Sequence, residues 1–291
     1  MTARGEWAGE AQPRSGWGWL RGVRAAAWVE YKTLRLYPAN LWLAAAQELT
    51  TVGVWYFVAL FLSPAANGVV AQYGGNYVAY VLVGVLLNQV GVTTLRSPFT
   101  TISEAFWDKR LETYRLASSG IWSNLVGRLV WKALFSTVWQ AGAMVFLVWM
   151  GAIHLAHGLP LAMTVLVWLL LIAANAGLGL MGASLFFLLE VKNGQDPITW
   201  IYQYLIQLVS GLYIPLAVLP RWLQTVGHVL PQTFVFAAMR MLVLTGARGS
   251  PVSAQVWPLA VESVLLLACG TAMMNGALRR AERVAGLGVV V

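Results

Sequence analysis

The run LAMTVLVWLLLIAANAGLGLMGASLFFLL, residues 161–189, decides the fold because it holds no charged side chain over its whole length. A helix needs roughly 20 mainly apolar residues to cross a hydrocarbon layer about 30 Å thick. Lipid offers no partner to a backbone N–H or C=O, so such a run must satisfy its own backbone groups as a helix. Working outward from it, five more runs have the same character: 41–62, 77–95, 125–151, 198–219 and 257–278. The expected fold class is therefore an all-α integral membrane protein with six transmembrane helices. Composition agrees, since 59% of the 291 residues are hydrophobic and only 10% are charged. Soluble domains carry about a quarter charged residues.

The net charge of +8 raises the question of nucleic acid. The basic residues, however, flank hydrophobic runs instead of clustering on one soluble face, which fits anionic headgroups and no nucleic acid. Of the 19 lysines and arginines, all but Arg221, Arg240 and Arg248 fall on one side of the expected topology. The positive-inside rule places that side, with both termini, in the cytoplasm of a cell that carries the protein in its inner or plasma membrane. Cys269 is the single cysteine, so neither a disulfide framework nor a cysteine metal site is expected. His154 and His157 lie three apart with no third ligand nearby, so no metal site is expected there.

The chain divides into a polar tail at 1–16, an interfacial helix at 17–38, a transmembrane domain at 39–283 and a short tail at 284–291. The first tail has no apolar core before a small-residue cleavage site, unlike a secretory signal. In the interfacial segment Arg21, Arg24, Lys32 and Arg35 form one stripe, and Leu20, Val23, Ala27, Tyr31 and Leu34 another. That pattern suits a helix lying in the membrane surface. Residues 217–244 are apolar, but Pro220 and Pro231 cut them into pieces too short to cross, and Arg221 and Arg240 are costly in lipid. Two short re-entrant helices are expected there.

Three groups of residues are candidates for function. Between the second and third spans, Ile102, Glu104, Phe106, Trp107, Asp108, Arg110, Leu111, Glu112, Tyr114 and Arg115 interleave charges with large apolar groups. Such an amphipathic helix, about 102–116, either anchors the loop at the interface or docks in a groove of a soluble partner. Polar stripes mark two spans: Tyr80 and Asn88 on the second, and Thr199, Gln203, Gln207 and Ser210 on the fifth. These side chains belong against other helices or a wet path, not against lipid. Glu48, a third of the way into the first span, is a functional candidate because a carboxylate is costly there. No phosphate-binding G-x-x-x-x-G-K-[ST] loop occurs, and no H-E-x-x-H or G-x-S-x-G sequence. A pump built on this chain would draw its energy from another one.

The segments Gly211-Leu-Tyr-Ile-Pro215, Leu219-Pro-Arg-Trp-Leu223 and Leu230-Pro-Gln-Thr233, ending near Arg240, resemble the proline-punctuated outer segment of ABC-2-type transporter permeases. Tyr77-Val-Ala-Tyr-Val-Leu-Val-Gly84 is similar to that family's second-span opening. The coupling region departs from the pattern: Lys109-Arg110-Leu111-Glu112 stands for Gly-Thr-Leu-Glu, and Ser118-Ser119-Gly120 for Ser-Pro. The resemblance covers roughly 17–283. It implies a permease dimer, of two identical or related chains, enclosing a path for an amphipathic, drug-like, lipid or glycan cargo. It also implies two ATPase subunits that dock at the coupling helix and hold the ATP and Mg, so this chain would bind no cofactor and have no catalytic residue. An ion-coupled secondary transporter using Glu48 and a non-transporting membrane scaffold are the alternatives.

Overall fold

The computed structural model describes residues 16–116, 120–156, 158, 160–188, 197–247 and 249–285. The two tails (apart from Gly16, Val284 and Ala285), Lys192, Arg248, His157, Ser118 and Ser119 lie outside the described residues. So do the side chains of Glu112, Arg115 and Arg283. Among the described residues every regular element is helical. In chain order these are α1 (Gly16–Leu36), α2 (Pro38–Ala66), α3 (Tyr77–Trp107), α4 (Leu111–Leu116) and α5 (Gly120–Trp149), followed by α6 (Leu161–Leu188), α7 (Pro197–Val209), α8 (Arg221–Gly227), α9 (Pro231–Arg240) and α10 (Ser250–Ala285).

Five helices, α2, α3, α5, α6 and α10, are long and apolar enough to cross a membrane; α8 and α9, bent by 90°, make a sixth if counted as one broken span. Local chemistry sets the ends. The Asn76 side chain accepts from the Ala79 N–H and starts α3, while Pro38 and Pro231 open α2 and α9, where a missing N–H costs nothing. Gly151, at φ +74°, follows the end of α5 in the left-handed conformation that glycine takes readily.

Helix α3 is the hub. Within its most apolar stretch 72% of residues are buried, against 11% for α2. The helices close on it through small residues, as expected where lipid removes the hydrophobic drive to associate. A Cβ at Gly179 would run into the Leu95 carbonyl of α3, and one at Gly270 of α10 into the backbone of Gly177 on α6. On the far side α1 lies along α5, where a Cβ at Gly127 would strike the Val23 carbonyl. Arg21, Arg24, Lys32 and Arg35 are exposed and Val23, Ala27, Tyr31 and Leu34 half-buried; only Leu20, at 55% exposure, leaves the expected apolar face.

Two sequence expectations need correction. The run at 198–219 is α-helical only through Val209, with a single 3-10 turn at Leu216–Val218. The 13 residues of α7 rise about 20 Å, short of a hydrocarbon layer. Its continuation fails because Gly211 adopts φ +77° and the following carbonyls turn toward a buried arginine. The coupling segment 102–116 is likewise not one helix. It continues α3 to Trp107, breaks at Lys109 with φ +57°, and resumes as α4. A left-handed lysine ends the helical hydrogen-bond ladder and reorients everything after it.

Candidate functional site

The break after Val209 is organised by Arg240. Its side chain is 1% exposed and faces no carboxylate; its three nitrogen groups donate to main-chain oxygens instead. Nε reaches the Tyr80 carbonyl at 3.0 Å, Nη1 that of Gly211 at 2.8 Å, and Nη2 that of Leu212 at 2.7 Å. The guanidinium carbon lies 3.5 Å from the centroid of the Tyr80 ring, and the Tyr80 hydroxyl donates to Gly211 O at 2.7 Å. A planar fork with five donors suits this role, and an aromatic face adds cation–π attraction. Gly84 makes room, since a Cβ there would collide with Arg240 Nη2.

The polar residues of α3 make contacts within the chain, and Tyr80, with Ser210, also lines a pocket of about 270 Å³. Asn76 caps, Tyr80 and Gly84 hold Arg240, and Gly91 abuts Asn175. Asn88 is half-buried. The α7 stripe also divides. Thr199 and Ser210 are buried, Gln203 is half-buried and accepts from Arg96 Nη2 at 2.6 Å, and Gln207 is exposed. A polar chain that sequence spacing does not signal crosses three helices: the Tyr202 hydroxyl donates to Gln232 Oε1, and Gln232 Nε2 donates to Asn175 Oδ1 at 2.7 Å.

At the end of the molecule where α3 finishes, the docking candidates separate into anchors and exposed groups. Ile102 and Leu111 are buried, and Phe106 packs 5.2 Å from Phe186 of α6. Trp107 is 58% exposed beside Asp108 and Arg110, whose charged groups are 3.5 Å apart in the open. Glu104 instead faces α5, where Arg128 donates to both Glu104 and Glu30 of α1. Tyr114, with Glu104 and Arg128, lines a cleft of about 720 Å³ between α1, α4 and α5. Arg128 could have been suspected as a cation near the start of an apolar run; its two partners could not.

Glu48 is placed differently from every other candidate. It is 9% exposed on α2 and lines an apolar groove of about 570 Å³ between α2 and α5. Gln89 Nε2 stands 3.5 Å from one carboxyl oxygen, and the other, Oε1, has no partner. Among the described residues no group of three or more His, Cys, Asp or Glu could hold a metal ion. Glu262 Oε2 is also buried without a partner among the described residues. No protein-family model matches this chain, and no curated protein does either.

Proposed function

We propose that this chain is the permease subunit of an ATP-driven ABC exporter, seated in the cell membrane with both termini in the cytoplasm. Two copies, or this chain and a relative, enclose the path for an amphipathic cargo, and a separate pair of ATPase subunits supplies the energy. The observation that carries the reading is the mechanical continuity of α3. One helix runs from the exposed elbow at Trp107, Asp108 and Arg110, through the aromatic packing of Phe99 and Phe106 on Phe186, to Tyr80 beneath Arg240. Close-packed interiors transmit displacement instead of absorbing it. A partner that pushes on the elbow moves α3 as a lever, and the Arg240 clamp carries that motion to α8 and α9.

The roles divide accordingly. Trp107 is the aromatic anchor for the ATPase and Asp108 and Arg110 its polar rim, as in interfaces where a few central side chains dominate. Ile102, Phe106 and Leu111 hold the elbow to the bundle. The test is the double variant Trp107→Ala and Arg110→Glu, chosen on exposed positions so that insertion survives. Co-purification of an ATPase and ATP-dependent efflux are expected to fall at least tenfold. Unchanged values for both refute the reading.

One observation favours a second reading, an ion-coupled secondary transporter: Glu48 is buried with Oε1 unpaired, as a coupling-ion site requires. Transport that stops on ATP depletion and persists in Glu48→Gln excludes it.

A further inference from the structure

The groove between α2 and α5 has the size and lining of a small-molecule site, about 570 Å³ and almost wholly apolar. Tyr56, Phe57, Trp139 and Phe146 supply aromatic surface along it, and Glu48 is the one acid lining it, with no base opposite. Glu48 lies about 15 Å along α2 from Pro38, a third of the way into the apolar run 41–62. Its Oε1 has no hydrogen-bond partner among the described residues. A shielded oxygen left unpaired is unfavourable, and an N–H donor on a ligand relieves it. The rim is open sideways: Leu49, Phe57, Val138 and Phe146 are between 46% and 72% exposed. A molecule dissolved in the apolar layer can enter without passing through water.

We infer that this groove binds a hydrophobic amine, with the ammonium on Glu48 and the apolar body along Trp139 and Phe146. Charge complementarity selects the occupant. A neutral acyl chain fills the groove but leaves Glu48 unpaired, and an anion is repelled by it. The aromatic walls suit the apolar body, since small-molecule sites pair mainly apolar and aromatic linings with a few polar groups. Two glycines open onto the groove, Gly53 and Gly142, and a Cβ at either meets nothing within 4 Å. Small residues at these points keep the space clear.

The inference deepens the transport reading by naming its cargo class, but binding needs no ATPase. Failure of binding and failure of export are therefore separate outcomes. The full chain in phosphatidylcholine nanodiscs is titrated with rhodamine 6G by fluorescence polarisation, with empty nanodiscs subtracted. Dodecylamine, dodecanol and dodecanoate serve as competitors of one chain length and three headgroups. Saturable dye binding is expected, with dodecylamine displacing it at concentrations at least tenfold below the other two. Glu48→Gln is expected to weaken the dye at least tenfold, and Gly142→Leu, whose Cβ meets nothing within 4 Å, to abolish binding in a chain that still elutes as one species. The inference is overturned if Glu48→Gln binds as the parent does, if dodecanol competes as well as dodecylamine, or if no saturable binding occurs. It is also overturned if Gly142→Cys joins two copies through the groove, because a second chain then occupies it.

Discussion

The Arg240 guanidinium carbon lies over the Tyr80 ring, 3.5 Å from its centroid, although the two residues are 160 positions apart in the chain. This contact ties the bent pair α8–α9 to the most buried helix of the bundle. It also explains why a cation is tolerated inside: three carbonyl oxygens and a ring face replace its water. The carbonyls of Gly211 and Leu212 are free to do so because the chain leaves the helix after Val209.

Arg240→Ala leaves the Leu212 carbonyl without its donor and Gly211 O with the Tyr80 hydroxyl alone, at about 1–3 kcal/mol for the orphaned carbonyl. It also empties the space of a large buried side chain, at about 2 kcal/mol or more. The expected loss of stability is about 3 kcal/mol or more. Arg240→Lys recovers part of it, since an ammonium offers donors but not the flat fork. Thermal unfolding in detergent, followed by size-exclusion chromatography, reads both; two variants as stable as the parent contradict the clamp.

Two glycines on α10 should respond in opposite directions. Gly270→Ala forces a methyl into the Gly177 backbone, and overpacking of this kind costs about 1–3 kcal/mol. Gly276→Ala meets nothing within 4 Å and gains up to about 1 kcal/mol of helix propensity. Opposite shifts of the thermal midpoint are expected, and shifts of the same sign would show that α6 and α10 do not cross at Gly177.

Arg128 joins three helices, and its two acids are unequal. The Glu30 side chain is 18% exposed and that of Glu104 is 52% exposed. Solvent screens the second pair, so Glu104→Gln costs less than about 1 kcal/mol. Glu30→Gln is expected to loosen α1 from α5 more strongly, and Arg128→Gln more strongly still. Hydrogen exchange over Gly16–Leu36 measures the order, and equal exchange in all three variants refutes it.

The proposed orientation predicts labelling. Cys269 is exposed and is first replaced by alanine. An impermeant maleimide is then expected to label Arg221→Cys in intact cells, and Trp107→Cys only after permeabilisation. The reverse pattern would remove the ATPase from reach of the elbow.

Local chemistry made much of the fold legible. The fourth apolar run, read as 161–189, is found as Leu161–Leu188, and the paired prolines at 220 and 231 separate two short helices as expected. The fifth run misled because the residues after Val209 remain apolar. Nothing in their composition marks the point where Gly211 turns left-handed to meet Arg240. Of the candidate sites, Glu48 and Trp107 were legible as exceptions, an acid in an apolar run and a tryptophan among charges. Nothing in the polar stripe announced that Tyr80 meets Arg240, because such a stripe looks the same whether it faces a cavity or another helix of the same chain.

That long apolar runs become helices follows from the sequence alone, because hydrophobicity and backbone satisfaction act over one segment at a time. How many of them are long enough to cross does not, since the fifth run stops at Val209. The tertiary structure alone decided which oxygens receive Arg240, that Arg128 gathers Glu30 and Glu104, and that Glu48 opens onto a groove walled by Trp139 and Phe146. Each of these joins residues far apart in the chain. Their meeting depends on how the helices cross, which the glycines permit but do not announce.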